Sequence, residues 1–226
     1  MIPETIYHYT TIETLALILK SRKIRFNSIN KLDDLTEPLS KDFGNIGNLV
    51  LVSCWTDLGE ESIAQWNMYS KNGTGCRIEF PSDLFTRTIR QKSEMFNSID
   101  TELSLVYPKN NLFKIKYKPS VELKTIWQEG VFDVSEIGKT KTDQWFFQSE
   151  WRFILYQLTK EIFEHVENSK ISELKDFQFK YDYYDMEIRS EIFEKMKITL
   201  GPETTYAEEI IVNALISKHN SNATVE

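Results

Sequence analysis

At 226 residues with a formal net charge of −7, the chain is long enough to bury roughly 70% of its unfolded surface and too acidic to hold nucleic acid by bulk charge. A hydrophobic content of 41%, with 14 Phe, 10 Tyr and 5 Trp, excludes global disorder. Cys54 and Cys76 are the only cysteines, and no CxxC or Cys/His spacing argues for structural zinc. The start, MIPETIYHYT, lacks the pattern of a secretory signal, and no apolar run approaches the ~18 residues of a membrane span. The expectation is a cytoplasmic protein in a reducing compartment with no membrane partner.

In chain order, IYHYT (6–10) reads as a short strand. Thr10 can cap the following helix, with Glu13 at capping-box spacing and Ile12, Leu15, Leu17, Ile18 and Leu19 as its apolar face. KIRFNS (23–28) alternates as a second strand, and SINKLDDLTEP (28–38) is rich in turn residues. NLVLVSCWT (48–56) is continuously apolar enough for a central strand. SIAQWNMYS (62–70) predicts a short helix with Ile63, Trp66 and Tyr69 on one side. After the turn KNGTG, CRIEF (76–80) is a strand stopped by Pro81.

Residues 82–105 read as helix, with Leu84, Phe85, Ile89, Met95 and Ile99 as core positions, and FKIKYKP (113–119) alternates as a strand. Residues 121–145 carry little pattern beyond some helical character around LKTIWQEG. WFFQSEWRFILY (145–156) is a strong strand, with FFQSE able to close a helix or loop ahead of it. KDFQFKYDYY reads as a further strand or hairpin arm. MKITLGP gives a strand and turn, Thr204 or Thr205 caps the helix YAEEIIVNALISK (206–218), and residues 219–226 are expected to fray. Helices and strands do not alternate strictly. The expectation is α+β: one domain over 1–226, a mixed or antiparallel sheet with flanking helices.

No GxGxxG, GxxxxGK[ST] or GxSxG motif is present, and neither cysteine has an evident histidine partner. Four features carry chemistry. His8 sits inside a strand between Tyr7 and Tyr9. Asp33, Asp34 and Glu37 cluster as turn residues or, alternatively, as ligands for a hard metal, which with His8 would make a metal-dependent nuclease or hydrolase. Trp66 and Tyr69 suit either a core or an aromatic wall for a flat ligand. In FQSEWRF, Glu150 and Arg152 share one strand face with Ile154 and Tyr156, while Trp151, Phe153 and Leu155 take the other. The larger apolar set belongs to the core, which directs Glu150 and Arg152 toward solvent or a cleft. The lysine-rich stretch PKNNLFKIKYKPSVELK (108–124) reads as a solvated strand face, with room for a local basic groove.

YHYTTIETLALILKSRKIRFNSINKLDDLTEP, SCWTD, ESIAQWNMYSKNGTGCRIEF and SEWRF, in this order and spacing, resemble a widespread bacterial family labelled a domain of unknown function, from residue 6 to about 156, with LGP near 201 as a weaker element. That family is distantly similar to ADP-ribosyltransferases, among them DNA-targeting toxins and poly-ADP-ribose enzymes. The similarity implies an ADP-ribosyltransferase-like fold and NAD as substrate. By position His8 with Thr10 would match the early strand that anchors the nicotinamide ribose, and Glu150 the late glutamate on the ribose 2′-hydroxyl. Ser53, Trp66 and Tyr69 compete for the middle element. Tyr7 and Tyr9 would flank the cofactor, and Arg25 or Arg152 would hold pyrophosphate. The implied roles are a toxin or anti-phage effector, with a protein, nucleic-acid or nucleotide acceptor and an antitoxin as partners. A non-enzymatic nucleotide- or protein-binding module on the same fold is the alternative.

Overall fold

The computed structural model describes residues 1–85, 105–106, 112–120, 122–157, 179 and 181–226. Two strands organise the rest. Strand β1 (Thr5–Thr10) pairs along its whole length with β4 (Cys76–Pro81), from Thr5↔Pro81 to Thr10↔Cys76. Between them in sequence lie β2 (Lys23–Ser28) and β3 (Val50–Thr56). Among the strands that follow are β5 (Leu112–Lys114), β6 (Lys116–Lys118), β7 (Thr140–Thr142), β8 (Glu150–Gln157) and β9 (Tyr183–Glu187). Along one edge β3 pairs with β8 over seven positions, Glu150↔Thr56 through Tyr156↔Val50. Its other edge is shared: β2 takes Leu51 and Val52, while β1 meets it at the single pair Tyr7↔Thr56. The sheet is thus two halves joined at one point. One half holds β9, β2, β3, β8 and β5, with the two-residue strand Leu105–Val106 also on β8; the other holds β1, β4, β10 (Lys197–Leu200) and β11 (Thr224–Val225). Pairing is antiparallel except for β10 with β11 and β6 with β7. The architecture is a mixed α/β fold with a mostly antiparallel sheet and a few helices.

Both faces of the central strands are covered. Leu51 and Trp55 of β3 and Trp151, Phe153 and Leu155 of β8 join Ile6, Ile78 and Phe80 in a core with helices α1 (Ile12–Ser21) and, late in the chain, α3 (Ser190–Phe193) and α4 (Tyr206–His219). The alternate residues Val50, Val52, Ile154 and Tyr156 enter a second core with Ile29, Phe43, Ile46, Leu49, Ile126, Val134 and Ile137. Every residue of β8 is buried. The face that carries Glu150 and Arg152 therefore does not meet bulk solvent; the loops 29–49 and 126–138 cover it, and sequence alternation alone does not register a second apolar layer supplied by irregular segments.

Local chemistry sets the element ends. Thr11, not Thr10, caps α1, its hydroxyl accepting the Thr14 N–H, because Thr10 is still paired with Cys76 in the sheet. Ser62 caps α2 (Ile63–Tyr69), whose buried residues are Gln65 and Trp66, while Ile63 points outward. Of the two readings of FFQSE, the tighter one is realised: Asp143–Gln148 form a 3₁₀ helix that ends at Ser149 with φ +41°, and the strand begins at Glu150. Thr205 and Glu208 make a reciprocal capping box on α4. Most of the helix expected over 82–105 lies outside the described residues; within them Leu84 and Phe85 are buried and Phe85 bridges Ile188. No helix among the described residues is long and apolar enough to cross a membrane.

The tail 219–226, expected to fray, docks instead. Asn220 is buried and its amide donates to the Phe193 carbonyl (2.7 Å), β11 pairs with β10, and Glu226 exchanges backbone bonds with Ile198 and Leu200. Truncation after His219 is expected to lower stability by about 1–3 kcal/mol through the Phe193 carbonyl left unsatisfied and the lost pairing. Urea denaturation of the two chains checks this; equal midpoints would mean that the tail contributes nothing.

Candidate functional site

Where β1 and β3 separate beyond Tyr7↔Thr56, the Cys54 carbonyl has no ladder partner. The His8 ring fills that role, its Nδ1–H donating to the carbonyl at 2.9 Å. This fixes the tautomer and leaves Nε2 as an acceptor without a partner among the described residues. The ring lies 5.1 Å from that of Trp55. Burial, opposed by the bond to Cys54, lowers the His8 pKa from 6.5, so the imidazole is held neutral.

The gap opens into a cavity of about 110 Å³, several times the ~10–15 Å³ that one water requires. Its lining comes from five places in the chain. Strand β1 gives Tyr7, His8 and Tyr9; β3 gives Cys54 and Trp55; α2 gives Gln65 and Tyr69; the loop after β2 gives Leu32 and Asp33. Lys141, Gln148 and Glu150 come from β7, the 3₁₀ helix and the start of β8.

Glu150 belongs to a buried quartet of charges. Arg152 Nε donates to Glu150 Oε1 at 2.6 Å and Nη2 to Oε2 at 3.1 Å, while Lys141 Nζ donates to Oε2 at 2.9 Å. On the far side Glu37 takes Nη1 and Nη2 of Arg152 and stands 3.6 Å from Lys141. Arg152 also donates to the carbonyl of Gly138, whose φ of +76° suits glycine. All five guanidinium N–H groups are thereby used, at 0% exposure. Two carboxylates and two cations give a neutral cluster. Burial alone would raise the Glu150 pKa, but Arg152 and Lys141 outweigh it and hold the carboxyl at about 2. The neighbouring Cys54 thiol is pushed up, by burial first and then by Glu150, and stays protonated.

The backbone under Glu150 is equally fixed. Its N–H donates to the Tyr117 hydroxyl (2.8 Å), its carbonyl accepts from Ile115 N–H (2.9 Å), and Ser149 Oγ donates to Asp57 (2.6 Å). A second chain runs to the mouth of the cavity. Lys141 donates to Gln148 Oε1 (2.8 Å), Gln148 Nε2 donates to the Tyr69 hydroxyl, and that hydroxyl donates to Asp33 (3.1 Å). Burial and then Asp33 raise the Tyr69 pKa, so the phenol remains protonated.

The sequence candidates divide accordingly. His8, Tyr7, Tyr9, Tyr69 and Glu150 line one cavity. Of the three competitors for the middle element, only Tyr69 reaches it: Ser53 is buried under the Trp55 indole, whose N–H it accepts, and the buried Trp66 donates to Glu61 and packs edge-on against Tyr9. Thr10 is buried in β1 beyond the lining. Arg25 is exposed near a sheet edge, paired bidentately with Asp185 and stacked on Tyr183. Arg152 lies behind Glu150 with no N–H to spare. The acidic loop is dispersed: Asp33 faces the cavity, Asp34 accepts from Thr36, and Glu37 is on Arg152. Among the described residues no group of three His, Cys, Asp or Glu side chains could hold a metal ion. Lys141 lies in the poorly patterned 121–145 region, Gln148 in the FFQSE stretch whose two readings were left open, and Gln65 beside the apolar positions of a short helix, so none of the three stood out in the sequence.

Residues 65–153 match the model of a family described as a protein of unknown function (DUF2971). The resemblance to a domain-of-unknown-function family holds over that stretch, which carries Tyr69, Lys141, Gln148, Glu150 and Arg152. No curated protein and no solved structure matches the chain.

Removing one member of the quartet strands the others. Glu150→Gln leaves Lys141 and Arg152 with one carboxylate, an expected loss of about 3–5 kcal/mol, whereas Glu150→Gln with Lys141→Met restores neutrality and recovers most of it. Urea denaturation of the two single variants and the double variant checks this; additive losses would contradict the coupling. The folded pKa of Glu150 lies below its ordinary 4.5, so its contribution is complete above pH 4.5 and is lost as pH falls toward 2.

Proposed function

We propose that the chain is an NAD-consuming enzyme of ADP-ribosyltransferase type, which breaks the bond between nicotinamide and ribose. One observation carries the reading: His8, Tyr69 and Glu150, drawn from an early strand, a middle helix and a late strand, line a single cavity where the sheet divides. Cleavage sends the C–N electron pair out with neutral nicotinamide and leaves positive charge on the ribosyl carbon and ring oxygen. A nucleophile, either water or an acceptor group, bonds to that carbon and gives up a proton.

The residues suit this chemistry by position. Glu150, ionised and immobile, can accept a hydrogen bond from a ribose hydroxyl, a bond that strengthens as positive charge develops on the ribose. Because Lys141 and Arg152 already neutralise it in part, its role is an oriented acceptor more than a bare charge. His8 Nε2 offers a second acceptor for a sugar hydroxyl. Tyr7, Tyr9, Trp55 and Tyr69 supply aromatic surface for a flat ring.

The direct assay is nicotinamide release from NAD by purified protein. His8→Asn keeps an N–H for the Cys54 carbonyl and deletes the Nε2 acceptor, so it is expected to lower kcat/KM by about 10²-fold with little change in thermal midpoint. Since His8 must stay neutral and its pKa is lowered, activity is expected to hold through pH 6.5 and to decline only below it. An acid limb centred at or above 6.5 would remove His8 from the mechanism. Binding of NAD with no release over long incubation would leave a nucleotide-binding module in place of an enzyme.

A further inference from the structure

Among the described residues that line the cavity, Asp33, Lys141 and Glu150 carry charge. Two of these three are already compensated. Glu150 and Lys141 bond each other, and with Arg152 and Glu37 they form the neutral quartet. Asp33 is different. It is exposed at the mouth, its carboxylate accepts the Tyr69 hydroxyl, and it has no cation within 4 Å among the described residues. Tyr69 is bonded to it, and Tyr7, Tyr9 and Trp55 line the same cavity, with Arg77 already standing over the Tyr7 ring at 4.7 Å and the Tyr9 ring at 6.0 Å. An uncompensated carboxylate in an aromatic-lined cavity favours a flat, delocalised cation, since aromatic rings accept positive charge, as Tyr7 and Tyr9 already do from Arg77, and the carboxylate attracts it directly.

We infer that the cavity selects a planar organic cation of the pyridinium class and that Asp33 is the residue that reads its charge. The inference rests on the N-glycoside reading above and adds a selection it does not require: an intact pyridinium is preferred over a neutral ring of the same shape. After cleavage the ring is neutral, so the same preference weakens the hold on the leaving group and favours its departure. Tyr69 orients Asp33 through its hydroxyl, and Gln148 orients Tyr69 in turn.

Two uncleavable, nearly isosteric probes separate charge from shape: 1-methylnicotinamide, a cation, and 3-methylbenzamide, its neutral counterpart. Ligand-observed NMR titrations on the full chain measure both. Wild type is expected to bind the cation about fivefold more tightly, the factor for one partly exposed charge contact. Asp33→Asn retains an oxygen for the Tyr69 hydroxyl and removes the charge. It is expected to abolish the preference by weakening the cation alone, at an unchanged thermal midpoint. Equal binding of the two probes to wild type, or an equal loss of both in Asp33→Asn, overturns charge selection and leaves the cavity a site for flat rings. Failure of both probes to bind overturns the selection and the N-glycoside reading together.

Discussion

The Arg152 guanidinium, fully enclosed and shared between Glu37 and Glu150, is the contact on which the site depends. Burying an arginine costs several kcal/mol unless its donors are met, and here each N–H has an acceptor. That requirement draws three distant segments together: the loop at Glu37, the turn at Gly138 and strand β8. Lys141 closes the arrangement from β7 and makes it neutral. The cluster holds Glu150 ionised beside the cavity.

A second constraint is the division of the sheet. Strand β3 shares one edge between β2 and β1, and it touches β1 at one pair only. A freed carbonyl inside a fold is costly, and His8 satisfies it with a side chain where a strand would have used its backbone. Separation of the strands and orientation of the imidazole are thus the same event. The resulting cavity has a neutral base on one wall, a fixed carboxylate on another and tyrosines between them.

Much of the frame was legible in the sequence because its signals are local. KIRFNS, the continuous apolar run ending at Thr56, the short helix within SIAQWNMYS and the last helix with its cap at Thr204 or Thr205 all correspond to elements that form. His8 and Glu150 were legible as candidates through the order of motifs, while Ser53, Trp66 and Tyr69 stayed in competition until the fold placed only Tyr69 of the three at the cavity. What was not legible depends on contacts distant in sequence. Nothing within SINKLDDLTEP separates Glu37, which binds an arginine 115 positions later, from Asp34, which binds Thr36. Lys141 sits in a segment without periodicity, and its burial follows from three partners that only the tertiary fold supplies. Arg152 was legible as facing away from the larger core, yet alternation cannot tell a ligand cleft from an internal ion cluster.

The most direct measurement is the ionisation of Glu150 itself. In protein carrying ¹³C at the glutamate side-chain carboxyls, with Glu150→Gln/Lys141→Met assigning the resonance, a titration from pH 6.5 to 3.5 follows the site while amide spectra confirm the fold. The expected result is a Glu150 carboxyl that stays ionised over the whole range, in keeping with a pKa near 2 set by Arg152 and Lys141. A midpoint at or above 4.5 would contradict the quartet, and with it the claim that an anchored carboxylate faces the cavity.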